Sequence, residues 1–501
     1  MRLEQCEVQV KGTHCPTPCH SNRALRLRLN SPPPRFVTGS TLRHVVVMAG
    51  TGAIGLVSVF AVDLANLFYI SLLGQASVAA AVGFAGVVSF FQISLCIGLT
   101  IAISATVSRA LGAGHRLEAR RIASASMFCM SMFTLAIGII TALSLDTILA
   151  KLGATGETRE FAKRYLIITC PSLPLMAIGM CCAALMRSVG DARRAMNVTL
   201  FAAIATACLD PLLIFGLHLG ITGAAIANVG SRLLLAWVGW RGAVTINQMM
   251  SRVAWHSLLA DIKPVLRIAG PAVLSNLATP VGSAYVTHMM AGFGTAAVAG
   301  QATIDRISPV AFGLVYALTG AIGPVIAQNL GANRPDRVRQ TLWDSVLFVL
   351  VAVGIAWLLL ALGQTLIVRA FSAHGLTELE VRLFCSWLAG SFVFVGFLFV
   401  ANTAFNNLGY PLLSTGFNWA RATLGTIPFV LLGAHYGPQG ILIGQALGSV
   451  VFGLAAVVTA FRLTRLGHPE RGVQIDQALP GIPSGSARAV LMEFIRRGLR
   501  R

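Results

Sequence analysis

Apolar stretches of about twenty residues or more follow one another from residue 45 to residue 461, separated by short polar or glycine-containing breaks. A helix of that length, rising 1.5 Å per residue, crosses the roughly 30 Å hydrocarbon core of a bilayer. The pattern predicts an all-α, polytopic membrane protein with twelve spans. They are 45–72, 76–108, 122–145, 161–186, 195–216, 221–240, 265–292, 297–326, 340–362, 382–406, 412–434 and 440–461.

Composition removes the soluble alternatives. Hydrophobic residues make up 55% of the chain and charged residues 11%, about half the charged share of a soluble domain. A soluble enzyme of this length is excluded. The net charge of +20 could suggest a nucleic-acid partner, but the basic residues lie in short linkers and in the two tails, so no nucleic acid is expected. Even-numbered linkers and their margins carry fourteen Arg and Lys, among them Arg116, Arg120, Arg193, Arg194 and Arg337. Odd-numbered linkers carry six: Lys151, Arg159, Lys163, Arg164, Arg369 and Arg382. The positive-inside rule then puts both termini in the cytoplasm of a multi-pass protein of the inner (plasma) membrane.

Residues 1–44 are basic and proline-containing, and read as a disordered tail; no apolar run resembles a signal peptide. His14, Cys15, Cys19 and His20 could ligate a metal, but the intervening prolines and the lack of a second ligand pair argue against zinc, and no metal site is expected. Seven of the ten cysteines lie in apolar segments and read as small buried hydrophobes. The basic tail 463–501 ends in a segment that could lie on the inner leaflet or be solvated.

Intramembrane polar residues are expensive and therefore informative. Asp210 lies deep in the fifth span and precedes Pro211. Proline cannot donate to the carbonyl four residues back and biases the preceding residue away from helix, which predicts free carbonyl oxygens beside a carboxylate. Such a crevice could hold a proton or small cation; a structural hydrogen bond pinning the break is the alternative. Asp63 and Asn66 share one helical face of span 1, and Thr206 and Asp210 share one of span 5. Asp305 and Arg306, adjacent in span 8, point about 100° apart and contact the cavity or a partner elsewhere. Arg232 and Arg421 need carboxylate or carbonyl partners. Phe68, Tyr69, Phe90, Phe91, Tyr285 and Tyr316 could line a pocket for an organic cation, or simply pack.

The chain repeats itself. Leu111-Gly-Ala-Gly114 recurs as Leu330-Gly-Ala-Asn333, Arg120 as Arg339, Leu73-Gly74 as Phe293-Gly294, Gly190 as Gly409, and Gly216, Gly220 and Gly223 as Gly433, Gly437 and Gly440. Twelve spans thus divide into six plus six. Because six is even, the copies enter from the same side as parallel repeats about an axis along the membrane normal, with substrate bound between them. The expected division is a tail at 1–44, an N-lobe at 45–240, a cytoplasmic linker at 241–264, a C-lobe at 265–462 and a C-terminal tail at 463–501.

Ser71-Leu-Leu-Gly74, Ala79-Ala-Ala81, Ser108-Arg-Ala-Leu-Gly-Ala-Gly114, Asp210-Pro-Leu-Leu-Ile-Phe-Gly216, Gly223-Ala-Ala-Ile-Ala227 and Gln328-Asn-Leu-Gly-Ala332, in this order and spacing, resemble the multidrug and toxic compound extrusion (MATE) family across about residues 45–462. The resemblance implies two six-helix lobes forming a V and export of drugs or metabolites in exchange for protons or sodium, with no other cofactor. It implies an N-lobe coupling site built from an acid on span 1, an Asn and an acid on span 5, and a hydroxyl on span 6. Asp210 matches the span-5 acid. Thr206 stands at the Asn position and Asn228 at the hydroxyl position, so amide and hydroxyl are exchanged. Asn66 aligns with the span-1 acid, and Asp63 lies one turn earlier. The family's C-lobe acids on spans 7 and 10 have no match. The expected partners are a cationic or amphipathic small molecule and membrane lipid, the expected state is monomeric, and proton coupling is favoured over sodium. The rivals are a flippase for lipid-linked precursors, a membrane-embedded transferase or hydrolase, for which no clustered nucleophile and base are found, and a channel, against which the repeat argues.

Overall fold

A computed structural model describes residues 34–72, 76–253 and 255–465. The Cys/His cluster at 14–20, the Leu73-Gly74 pair, the Phe68 side chain and the tail beyond residue 465 lie outside the described residues. The described chain is α-helical. The first half contains α1 (Thr41–Leu72), α2 (Ala76–Gly112), α3 (Arg116–Leu143), the short α4 (Leu145–Lys151), α5 (Gly156–Thr169), α6 (Leu173–Ser188), α7 (Ala192–Pro211) and α8 (Gly220–Trp240). The second half contains α9 (Leu258–Ala291), α10 (Thr295–Ala311), α11 (Gly313–Gly331), α12 (Pro335–Ala370), α13 (Leu376–Ser386), α14 (Phe392–Leu408), α15 (Pro411–Ala422), α16 (Ile427–Ala434) and α17 (Gly437–Arg465).

Four predicted spans are each two helices. Span 4 is α5 and α6, bent at Cys170–Ser172 around Pro171; span 8 is α10 and α11, broken after Pro309 at Phe312. Span 10 is α13 and α14, and span 11 is α15 and α16. Among the described residues, ten helices are long and apolar enough to cross a membrane by length and composition. Spans 7 and 11 are not among them: α9 carries Asp261, Lys263, Arg267 and three prolines, and span 11 is broken in the middle.

The repeat seen in sequence is physical. Gly114 and Asn333 close their helices with φ of 77° and 54°, and glycine and asparagine are the residues that tolerate this left-handed cap. Just before them the two lobes meet back to back. A Cβ on Gly112 would stand 2.1 Å from the Gln328 carbonyl oxygen, and one on Gly331 would stand 2.1 Å from that of Arg109. The lobes also trade first helices: α1 packs on α11, and α9 packs on α2.

Residues 34–44 of the expected disordered tail take up defined structure. Arg35–Val37 forms a 3₁₀ turn, Phe36 is 2% exposed, and α1 begins at Thr41. This turn ties the lobes together. The Phe36 amide donates to Gln328 Oε1 at 3.0 Å, and Asn329 Nδ2 and Arg337 Nη2 donate to the Phe36 carbonyl, each at 3.1 Å. On the first lobe, Arg35 Nη1 donates to the Gly190 carbonyl at 2.8 Å, and Gln328 Nε2 crosses to that of Ser188 at 2.6 Å. Cys208 departs from the expected burial and is exposed on α7.

Candidate functional site

Three helices of the first lobe position the predicted residues. Helix α1 lies along α7, and α7 along α8. A Cβ on Gly55 would stand 2.1 Å from Thr199 Oγ1, so α1 and α7 are in close contact there. Asn66 and Asp210 both lie eleven residues past that contact (55 to 66, 199 to 210), and so at one level, about 16 Å further along two parallel helices. Helix α8 runs back along α7, with Gly230 against Leu209 and Gly223 against the Leu213 carbonyl. That register brings Asn228 to the level of Asp210.

The site is rich in unanswered oxygens. Asp210 is 1% exposed, and neither of its carboxylate oxygens has a hydrogen-bond partner. Asn66 Oδ1 and Asn228 Oδ1 are likewise buried without partners. Asp63, one turn before Asn66, is exposed and within electrostatic range of Asp210. Thr206 does not point its hydroxyl into this group; Oγ1 donates to the Ala202 carbonyl at 3.1 Å, which also accepts from Ser231 Oγ at 3.0 Å. Isolated acceptors at depth cost several kcal/mol unless a proton, ion or water supplies the missing donor. The arrangement is therefore chemically suited to take up a small positive charge.

Asp210 differs from its sequence expectation in one respect. It stays helical, α7 runs through Pro211, and the disturbance appears as a π-helical turn over Leu212–Gly216. Pro211 still has no N–H to offer the Ala207 carbonyl, and the buried side-chain oxygens of Asn66, Asp210 and Asn228 have no hydrogen-bond partner. The second lobe has no copy of the acids. The shift of 217 that relates Pro211 to Pro428 puts Ile427 opposite Asp210, and the shift of 220 that relates Gly74 to Gly294 puts Ser283 opposite Asp63.

Asp305 and Arg306 are exposed on α10 of the second lobe, away from this cluster in sequence and in helix. Asp305 accepts from Gln301 Nε2 at 3.1 Å on its own helix. Asp305 and Arg421 both lie within electrostatic range of Tyr316, whose ring packs against Phe60 of the first lobe and against Phe392 and Phe399. Arg232 has a structural task. Its Nη1 donates to the Thr169 carbonyl at 2.8 Å and to Ser172 Oγ at 2.9 Å, answering the bend between α5 and α6. Sequence reasoning missed Tyr165 on α5, which is within electrostatic range of Asp63, Asp210 and Arg232; its place in an ordinary amphipathic helix gave no signal.

A family model described as MatE matches residues 53–212 and 271–432, once in each half. The FAD transporter of Shewanella oneidensis is 28% identical over 428 residues, covering 84% of this chain and 94% of that protein. The multidrug export protein MepA of Staphylococcus haemolyticus is 24% identical over 311 residues, covering 61% and 68%. Among solved structures, the Vibrio cholerae MATE transporter VcmN superposes with a TM-score of 0.81 at 26% identity, over 85% of this chain and 98% of that one. A MOP superfamily transporter from Pyrococcus furiosus shares the fold, with a TM-score of 0.81 at 19% identity over 87% and 99%.

Proposed function

The chain belongs to the MatE family of membrane transporters, and we propose that it is a proton-coupled antiporter exporting small organic molecules by alternating access. The observation that carries this reading is the cluster on α1, α7 and α8: a buried Asp210 with two unanswered oxygens beside an exposed Asp63. A proton arriving at Asp63 removes the like-charge repulsion within the pair, and a proton on Asp210 removes an uncompensated buried charge. Helices α1 and α7 are thereby free to repack, and the lobes shift toward the conformation open on the opposite side. Because proton and substrate favour opposite conformations, one drives the other. Sodium would use the same oxygens, with Asn66 and Asn228 as further ligands.

The arginines at the end of the bundle that carries Phe36, Gly112 and Gly331 favour a cytoplasmic placement, and on that reading the lobe contact there closes the transporter on its inner side. In this reading the substrate binds between the two halves of a single chain, so a monomer would suffice. For the substrate, the relative named for multidrug export supports a cationic or amphipathic compound meeting the aromatic wall around Tyr316. The relative named as an FAD transporter supports a second reading, an anionic flavin nucleotide, because that similarity runs over 94% of its length. Efflux of each from proteoliposomes under an imposed proton gradient tests the pair. Gradient-driven movement of neither would reject the antiport reading.

A further inference from the structure

A second buried carboxyl group lies in the other lobe. On α13, Glu378 and Arg382 pair at 2.8 Å one turn apart, while Glu380, Val381, Phe384 and Cys385 turn inward. Glu380 is fully buried at 0% exposure, and neither of its oxygens has a hydrogen-bond partner. The carboxyl is lodged against α10 at Gly300. A Cβ there would stand 1.9 Å from Oε2, so glycine is what admits it. Thr377 Oγ1 fastens the same two helices by donating to the Ala296 carbonyl at 2.8 Å. Gln301, the next residue of α10, is 4% exposed; its Nε2 serves Asp305, and its Oε1 is buried and unanswered.

Among the described residues, no cation bonds to Glu380. The elements packed on α13 are α10, α12, α17 and the turn Leu388–Ser391. Their charged groups are Asp305 and Arg306 on α10, Arg369 at the end of α12, Asp336, Arg337, Arg339 and Asp344 in the first turns of α12, and Arg462 and Arg465 at the end of α17. None of them hydrogen-bonds to Glu380, whose two oxygens accept from nothing. A bare carboxylate in such a place costs several kcal/mol. A metal ion would need six or so oxygens at 2.0–2.6 Å; no group of three or more His, Cys, Asp or Glu among the described residues could hold one, and the Gly300 backbone occupies the adjoining space. A proton needs neither ligands nor room.

We infer that Glu380 is a proton-binding site of the second lobe, occupied while α10 and α13 are packed together. Uptake forms one O–H bond on the carboxylate and breaks one on hydronium; release returns the proton to water. The bound O–H turns an acceptor-only group into a donor, and Gln301 Oε1 is the nearby unanswered acceptor suited to it. Release requires water to reach the carboxyl, so α10 must lift from α13. Helix α10 also carries exposed Asp305 and touches α1, which carries Asp63. Protonation of Glu380 thus controls whether α10 is held to its own lobe. This inference stands apart from the coupling reading for the first lobe.

The test is infrared spectroscopy of the full chain in liposomes, with thermal melting as a second readout. At neutral pH the wild type should show a protonated-carboxyl C=O band that is lost in Glu380→Gln and in Glu380→Met, and kept in Asp63→Asn/Asp210→Asn. The wild-type melting temperature should fall as pH rises, because the unfolded chain releases this proton while the folded one keeps it; Glu380→Gln should flatten that fall. No band assignable to Glu380, or a Glu380 carboxylate band that shifts on adding sodium, would overturn the inference whatever the first-lobe variants do.

Discussion

Replacing Gln328 by Leu tests the closed end of the bundle, because one buried amide there serves both lobes. Gln328 is 1% exposed; its Oε1 accepts from the Phe36 amide at 3.0 Å, and its Nε2 donates to the Ser188 carbonyl at 2.6 Å. Leucine fills a similar volume and answers neither group. In the closed state both are then buried and unsatisfied, at about 1–3 kcal/mol each. When the lobes part, water reaches both and the penalty vanishes. The closed state therefore loses at least roughly 2 kcal/mol relative to the open one, about a thirtyfold shift in population. Spin labels at Leu117→Cys and Arg339→Cys, both exposed on opposite lobes at this end, read the separation by electron–electron resonance in a background with the native cysteines replaced. Gln328→Leu should add or enlarge a long-distance population. A folded variant with an unchanged distance distribution would refute the reasoning.

Three further outcomes follow from the same geometry. Gly112→Ala puts a Cβ 2.1 Å from the Gln328 carbonyl oxygen and should shift the same distance distribution toward separation, at an overpacking cost of about 1–3 kcal/mol. Arg232→Met removes the donor to Thr169 and Ser172 and should lower the melting temperature in detergent without changing the interlobe distance, at about 1–3 kcal/mol. Asp191 caps α7 in the loop before it: partial burial pushes its carboxyl up, but hydrogen bonds from Asn247 and Arg194 outweigh this and hold it below the usual carboxylate range. Its contribution is then fully present above the unfolded value, about pH 3.9, and is lost as pH falls through the folded value. Asp191→Asn should melt below wild type at pH 7, with the gap narrowing below about pH 4.

Much of this architecture is legible in the chain because lipid makes the rules strict. Twenty-residue apolar runs have to be helices, and Gly114 and Asn333 mark equivalent ends because few residues accept a positive φ. Asp210 stands out because a carboxylate at that depth demands a reason. What escapes the sequence is whatever depends on a partner far along the chain. Phe36 reads as part of a basic tail, since nothing local announces that Gln328, Asn329 and Arg337 wait 292 to 301 residues away. Glu380 falls two residues before the predicted start of its span at 382. A signal was nevertheless present: Glu378 and Arg382 pair at i, i+4, which turns Glu380 onto the face of Phe384. Thr206 matched a position of the family pattern, yet its hydroxyl is spent on its own helix. Pro211 predicts a break, and the π-turn that follows it packs against α8.

The central claim is that Asp63 and Asp210 couple cation entry to export. The direct measurement is transport of a fluorescent organic cation and of FAD in proteoliposomes under imposed proton or sodium gradients, with wild type beside Asp63→Asn and Asp210→Asn. The account predicts transport driven by the proton gradient in wild type and at least a tenfold loss of gradient-driven rate, roughly 1.4 kcal/mol or more of coupling, in each variant. Gradient-driven transport at the wild-type rate in both variants would contradict it.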